Sequence, residues 1–408
     1  SNIRNTGRIF PHKNHRQTRN NAVCCQCRSA DRRFFPPFPC YFFSVNDDRH
    51  TILYETSQRL YIWEQNVKHA CCSFRQVFGK PPTRTDTIKK IFFLVIAFSA
   101  LCQGMFAMGI MDVAFSPDGK RVAYIGAERT DEGILNYMMQ FNTSDGSLNG
   151  IFYAEYLEMT GNCLAYSPEG RIVAAGTSNT GIFLFDSITG DPIKQLLGHD
   201  DSVHSIAFSH DGKTLVSGAS DKTIRLWNIA SGSENRLIKV DSGVNTVLLT
   251  SDGKTIVAAL SNGHIKLFDA GNGREIRTLI GHQESVNSIA ISPDGRTIVS
   301  GSKDNYVKLW DTATGREKVS FVGDKNAVNS VAFSPDGKTF AYGGTGEGSI
   351  KICDAITGKE IKKIPGASGM IMCIKFSPDG KTIAQTTLDT VVLWDVASGH
   401  FIRTIPQM

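Results

Sequence analysis

Between Gly281 and Gly315 the chain alternates apolar runs (VNSIAI, TIVSG, YVKLW) with turn-forming clusters (SPDG, KDN, TATG). That is the pattern of successive short antiparallel strands. One such unit leaves both faces of its sheet uncovered, so it needs copies of itself on either side. The copies can be followed by an acidic residue and the glycine after it: Asp118-Gly119, Glu169-Gly170, Asp211-Gly212, Asp252-Gly253, Asp294-Gly295, Asp336-Gly337 and Asp379-Gly380. Seven copies recur at steps of 51, 42, 41, 42, 42 and 43 residues. In SPDG, proline presets φ for a type I turn and glycine suits its last position, so each anchor closes a hairpin.

A second marker follows each anchor: Phe141-Asn142, Phe185-Asp186, Trp227-Asn228, Phe268-Asp269, Trp310-Asp311, Cys353-Asp354 and Trp394-Asp395. It lies 15 to 17 residues after the anchor acid, except in the first copy, where the distance is 23. With the period, the terminal Trp-Asp dipeptide and an occasional Gly-His earlier in the unit, residues 105–408 resemble the WD-repeat family. The resemblance implies an all-β fold, a seven-bladed β-propeller of four-stranded antiparallel blades. The last blade can be completed in sequence order by Phe401–Ile405, so closure is expected by packing of blades one and seven, without a borrowed strand. Blade one carries about seven extra residues in AERTDEG (127–133), an insertion expected in a surface loop.

Residues 1–87 show no sustained period and include the breaker runs FFPPFPC and GKPPTRTD; an unstructured or non-native leader is expected. The Cys24–Cys27 spacing would suit zinc, but Cys71 and Cys72 are adjacent rather than spaced, and no metal or cofactor is expected. Next comes IKKIFFLVIAFSALCQG at 88–104: two lysines, a short apolar run, then small residues, the layout of a secretory signal peptide. The run is too short for a stable membrane span. No methionine precedes Met105, so translation is expected to begin near Ile88 from a non-standard start codon. Export to the periplasm or cell surface is the resulting expectation, with a cytoplasmic location as the alternative.

Charge separates the same regions. Residues 1–90 hold 16 Lys and Arg against 6 Asp and Glu, a net +10; the remaining 28 against 33 give −5. A mildly acidic ring argues against nucleic acid as a partner, because that affinity comes from clustered Lys and Arg.

Two blades carry His, Ser, Asp and Trp at identical spacing: His199, Ser217, Asp221, Trp227 and His282, Ser300, Asp304, Trp310. Such residues could serve nucleophilic catalysis. The family resemblance implies instead a hydrogen-bonded network inside the blade, and its occurring twice points to scaffold. Blade six has Gly323-Asp324 and Cys353 in place of Gly-His and Trp, and blade seven has Gly366-Ala367; both are expected to be weaker units. No phosphate loop, metal cluster or nucleophile elbow occurs in 105–408.

The resemblance also implies a ring of residues at the channel mouth: Met111, Asn162, His204, Asn245, Asn287, Asn329 and Met372. Flanked by Asp200, Asp201, Gln283, Glu284, Lys325 and Asn326, this rim would suit a polar peptide or loop. The expected function is a non-catalytic, monomeric scaffold that binds a protein or peptide on the narrow face. The alternatives are an enzyme with its site at the channel mouth, or a cytosolic assembly scaffold.

Overall fold

In a computed structural model of the protein, the described residues are 42–46, 49–53, 107–130, 133–152, 161–178, 181–323, 325–346, 348–367 and 369–405. The candidate zinc cysteines, the apolar run at 88–104 and Asp324 lie outside them. Two units are distinguished, residues 1–83 and 84–408. In the first, Phe42–Asn46 and Arg49–Leu53 form an antiparallel hairpin.

The second unit is seven four-stranded antiparallel sheets, each with its strands in sequence order. The inner strands are Ala107–Phe115, Gly161–Tyr166, Val203–Phe208, Val244–Leu249, Val286–Ile291, Val328–Phe333 and Cys373–Phe376. They are short because each runs into the anchor turn, whose acid binds its own backbone. Asp294 Oδ1, for example, accepts the Arg296 N–H at 3.0 Å and the Ser292 hydroxyl at 2.6 Å. The insertion in blade one does not form a loop. It extends the second and third strands, Arg121–Thr130 and Gly133–Asn142, into a longer hairpin paired as far as Thr130 and Gly133.

The core is a set of clusters between blades rather than one centre. The second strand of each blade is almost wholly buried, as in Thr297–Ser302, because neighbouring sheets cover both its faces. Closure follows the same rule: Ile110, Val113 and Tyr124 of blade one pack with Cys373, Val391, Leu393 and Ile405 of blade seven. The Ile110 N–H also donates to the Leu388 carbonyl at 2.9 Å. Blade seven's sheet is complete with its own four strands.

An outer ring of hydrogen bonds joins blades at the periphery. In five blades the third residue of the outer strand is basic and reaches the last turn of the next blade. Lys194 donates to the Ala230 carbonyl at 2.6 Å, and Arg236 to Gly271 at 2.5 Å. Arg277 donates to Ala313 at 3.0 Å and Lys362 to Val396 at 3.0 Å. Arg403 closes the ring on Ser144 of blade one at 2.6 Å. Gly150 and Val319 hold the equivalent positions in blades one and five.

Candidate functional site

Antiparallel order sends the blade-to-blade connections and the turns between second and third strands to one end of the ring. Near that end of each inner strand, seven residues before the anchor acid, lies a rim position. The structure gives these side chains unequal surroundings. Asn162, Asn245, Asn287 and Asn329 are half-buried, and each donates its amide to a carbonyl at or just before the start of the next blade's inner strand. The acceptors are Val203 at 3.2 Å, Val286 at 2.8 Å, Val328 at 3.1 Å and Ile371 at 2.9 Å. These amide donors are therefore engaged in holding blade to blade. Each of these four asparagines sits at a β-bulge near the start of its inner strand.

His204 differs: it is exposed, and its Nε2 lies 2.7 Å from Ser220 Oγ within its own blade. Although the residue is exposed, partial desolvation by neighbouring protein lowers its pKa, with Asp201 acting in the opposite direction. Met111 packs against the core between blades one and two, and Met372 is half-buried with its backbone N–H on the Thr386 carbonyl. The flanking Asp200, Asp201, Gln283, Glu284, Lys325 and Asn326 are all exposed.

One residue deeper, a second inner ring runs around the channel. Ser205, Ser288 and Ser330 accept the backbone N–H of Val247, Val331 and Ile374 in the following blade, at 3.1, 3.2 and 2.9 Å. In blade one the same register holds Asp112, whose Oδ2 accepts the Leu164 N–H at 3.0 Å. Its Oδ1 accepts the Val113 N–H at 2.9 Å and the Cys373 S–H at 3.1 Å, so one carboxylate links blades seven, one and two.

The two His-Ser-Asp-Trp sets lie inside the sheets. Asp221 Oδ2 takes the Nδ1–H of His199 at 2.8 Å, leaving Nε2 to accept the Ser217 hydroxyl at 2.7 Å. Ser217 Oγ in turn accepts the indole N–H of Trp227 at 2.8 Å. In blade five His282 stands 2.8 Å from both Asp304 and Ser300, and Trp310 donates to Ser300 at 2.8 Å. The connectivity is that of a catalytic triad, but Ser217 and Ser300 are fully buried, so no substrate reaches either hydroxyl.

Blade seven contains a residue that the sequence pattern did not single out. Gln385 stands where blades three and five have serine. Its Oε1 accepts both the Trp394 indole N–H at 2.9 Å and the Ala367 N–H at 3.0 Å. The longer amide thus reaches the groups that Ser and His serve together elsewhere. Blade six takes another route: Lys351 Nζ sits 5.5 Å from the Tyr342 ring centre and donates to the Gly323 carbonyl at 2.8 Å. The signal for Gln385 was its place six residues after the anchor, visible only when blades are aligned by register.

Comparison with known proteins bears on this geometry. The family described as WD domain, G-beta repeat matches residues 190–228 and 273–311, and the anaphase-promoting complex subunit 4 WD40 domain matches residues 317–379. The matched stretches are WD repeats, and they lie in a seven-bladed β-propeller. WD repeat-containing protein 1 of Xenopus tropicalis is 27% identical over 168 residues, covering 31% of this chain and 28% of that protein. The periodic tryptophan protein 2 homolog of Schizosaccharomyces pombe is 41% identical over 73 residues, covering 18% and 8%. The U3 small nucleolar RNA-associated protein 15 homolog of Xenopus laevis is 36% identical over 75 residues, covering 18% and 15%. The chain thus spans less than a third of each of these relatives.

These relatives correct the expectation of export. The one whose name carries a compartment is nucleolar, and none is named as an exported protein. The physical reason is that a dozen apolar residues beside two lysines also describe an ordinary buried segment, so the composition of 88–104 does not by itself specify secretion. Among the described residues the three cysteines are free and buried, and no helix is long and apolar enough to cross a membrane. No three His, Cys, Asp or Glu side chains among the described residues are grouped as metal ligands.

Proposed function

We propose that the propeller, over residues 105–408, is a non-catalytic, monomeric scaffold. It would bind a protein or peptide, rather than nucleic acid or membrane, on the narrow face around the channel mouth. The observation that carries this reading is the contrast across the rim. A frame fixed by blade-to-blade amides supports a margin of exposed polar side chains: Asp200, Asp201, His204, Gln283, Glu284, Lys325 and Asn326. A pre-ordered frame lowers the conformational cost of binding. The names of one matched domain family, that of an anaphase-promoting complex subunit, and of one relative, a small nucleolar RNA-associated protein, agree with a role inside assemblies. The buried serines of both His-Ser-Asp sets support scaffold over catalysis.

Affinity capture with the full chain tests the reading. Wild type is compared with a His204→Ala/Gln283→Ala/Glu284→Ala variant, whose positions face solvent and leave the amide ring intact. Loss of specifically captured proteins is expected. An unchanged set of partners would remove the rim from consideration.

A further inference from the structure

The seven blades act as internal controls for one another, and one channel position departs from the rest. Four residues before the anchor acid stand Ala114, Ala165, Ala207, Leu248, Ala290, Ala332 and, in blade seven, Lys375. Strand alternation places this register on the same side as the one two residues earlier, whose Ser and Asp side chains form the second inner ring around the channel. Five alanines and a leucine, all packed against the clusters between blades, are thus joined by a single ammonium. Lys375 is exposed.

Its one acidic neighbour is a carboxylate already engaged by other donors. Lys375 interacts electrostatically with Cys373, Asp112 and Cys163, on blades seven, one and two. Both Asp112 oxygens already accept from other groups, Oδ1 from Val113 and Cys373 and Oδ2 from Leu164. The two thiols stay neutral: burial pushes Cys373 up to about 12 and raises Cys163 as well. Among the described residues Lys375 makes no hydrogen bond and no ion pair, which leaves three N–H donors unused.

We infer that Lys375 is the docking point for a carboxylate that an interaction partner inserts into the central channel. This rests on the narrow-face reading above and gives it a chemical class. An ammonium beside low-dielectric protein attracts an anion more strongly than it would in open water. A singly charged anion fits better than a phosphate dianion, because Asp112 stands nearby and the channel register offers no second cation to offset it. A carboxylate could come from a chain terminus or from an Asp or Glu side chain.

The test uses the full chain labelled with 13C at lysine Cε, titrated with sodium acetate at constant ionic strength. The Lys375 signal is assigned by its loss in Lys375→Ala, which installs the residue that five other blades carry at this register. Expected is a saturable shift of that signal alone, with inorganic phosphate binding about tenfold more weakly. A linear shift shared with exposed lysines such as Lys213, or phosphate binding as well as acetate, would overturn the inference. Two tetrapeptide probes then separate the sources: Gly-Gly-Ser-Ala with a free terminus, and Gly-Gly-Glu-Ala amide. Displacement of acetate by either supports the proposal, and displacement by neither overturns it. Partner capture keeps the two readings apart. Capture lost in the His204/Gln283/Glu284 variant but unchanged in Lys375→Ala would leave the rim standing and refute the channel site.

Discussion

Ile125 of blade one fills the space that a β-carbon on Gly161 of blade two would occupy, its Cδ1 only 2.1 Å from that point. Four other seams carry the same fit in reverse. There Gly176, Gly218, Gly301 and Gly343 sit in the second strand, and Val203, Val244, Val328 and Ile371 project from at or just before the next inner strand, 2.9, 2.4, 2.5 and 2.6 Å away. The knob and the hole have changed sides.

That relationship predicts a rescue. Gly161→Val alone overpacks the seam and should cost about 1–3 kcal/mol. Ile125→Gly alone leaves a cavity and should cost about 2–5 kcal/mol or more. The double variant recreates the arrangement of the regular seams and should recover most of the sum, read from urea unfolding of all four proteins. Strictly additive losses would show that the two side chains do not share the space.

Gln385 should matter to blade seven as Ser217 and Ser300 matter to theirs. Gln385→Ala strands the Trp394 and Ala367 N–H groups in the interior, at a cost of about 1–3 kcal/mol. Gln385→Glu keeps an acceptor for both and should cost less at a pH where its carboxyl is protonated. Chemical denaturation of the two variants decides it. Equal losses would mean that volume alone, rather than the accepted hydrogen bonds, sets the effect.

Acid should weaken the ring through its two buried imidazoles. Burial lowers the pKa of His199 and His282 below 6.5, although the bonds to Asp221 and Asp304 act upward. The unfolded chain then takes up protons before the folded one does. The stability these groups contribute is present above 6.5 and is lost as pH falls toward the folded values. For Asp221, burial acts upward but is outweighed by the Thr223 hydroxyl, the Asp200 N–H and His199. Asp304 is likewise held low against its burial, so both carboxylates add a further acid-sensitive contribution below 3.8. A His199→Gln/His282→Gln protein should show a flatter decline in unfolding free energy between about pH 6.5 and 5 than wild type. An identical slope in both proteins would assign the acid sensitivity elsewhere.

The blade count and the closure were legible because Asp-Gly turns recur at nearly fixed steps whatever else a blade has lost. The turn needs an acid to bind backbone and a glycine at positive φ, as at Gly295 with φ 72°, so its signature survives drift in the core. The joints between blades were not legible. Asn287 reads as a polar strand end until the Val328 carbonyl, 41 residues on, appears 3.1 Å from its amide. Arg277 reads as a surface charge until it is seen on the Ala313 carbonyl. Gln385 reads as a lost serine, because a substitution that lengthens a side chain keeps its acceptor while erasing the motif. Each of these contacts joins groups whose separation exceeds any local pattern.

The rim itself supplies the last test, because its members should now behave differently from one another. Asn287→Ala removes the donor to the Val328 carbonyl and loosens the seam between blades five and six; a loss of about 0.5–1.5 kcal/mol is expected. That seam also lacks a basic residue in the outer ring, where Val319 stands, so the amide has less support there than elsewhere. Asn245→Ala should cost at least as much, since its amide serves both Ser285 and the Val286 carbonyl and its oxygen accepts Ser261. His204→Ala breaks only a bond within its own blade at an exposed site, and should stay within about 0.5 kcal/mol of wild type. Urea unfolding of the three variants, read with hydrogen exchange in the inner strands, separates joint from margin. Asparagine variants as stable as His204→Ala would return the amides to the binding surface and leave the blades held by packing alone.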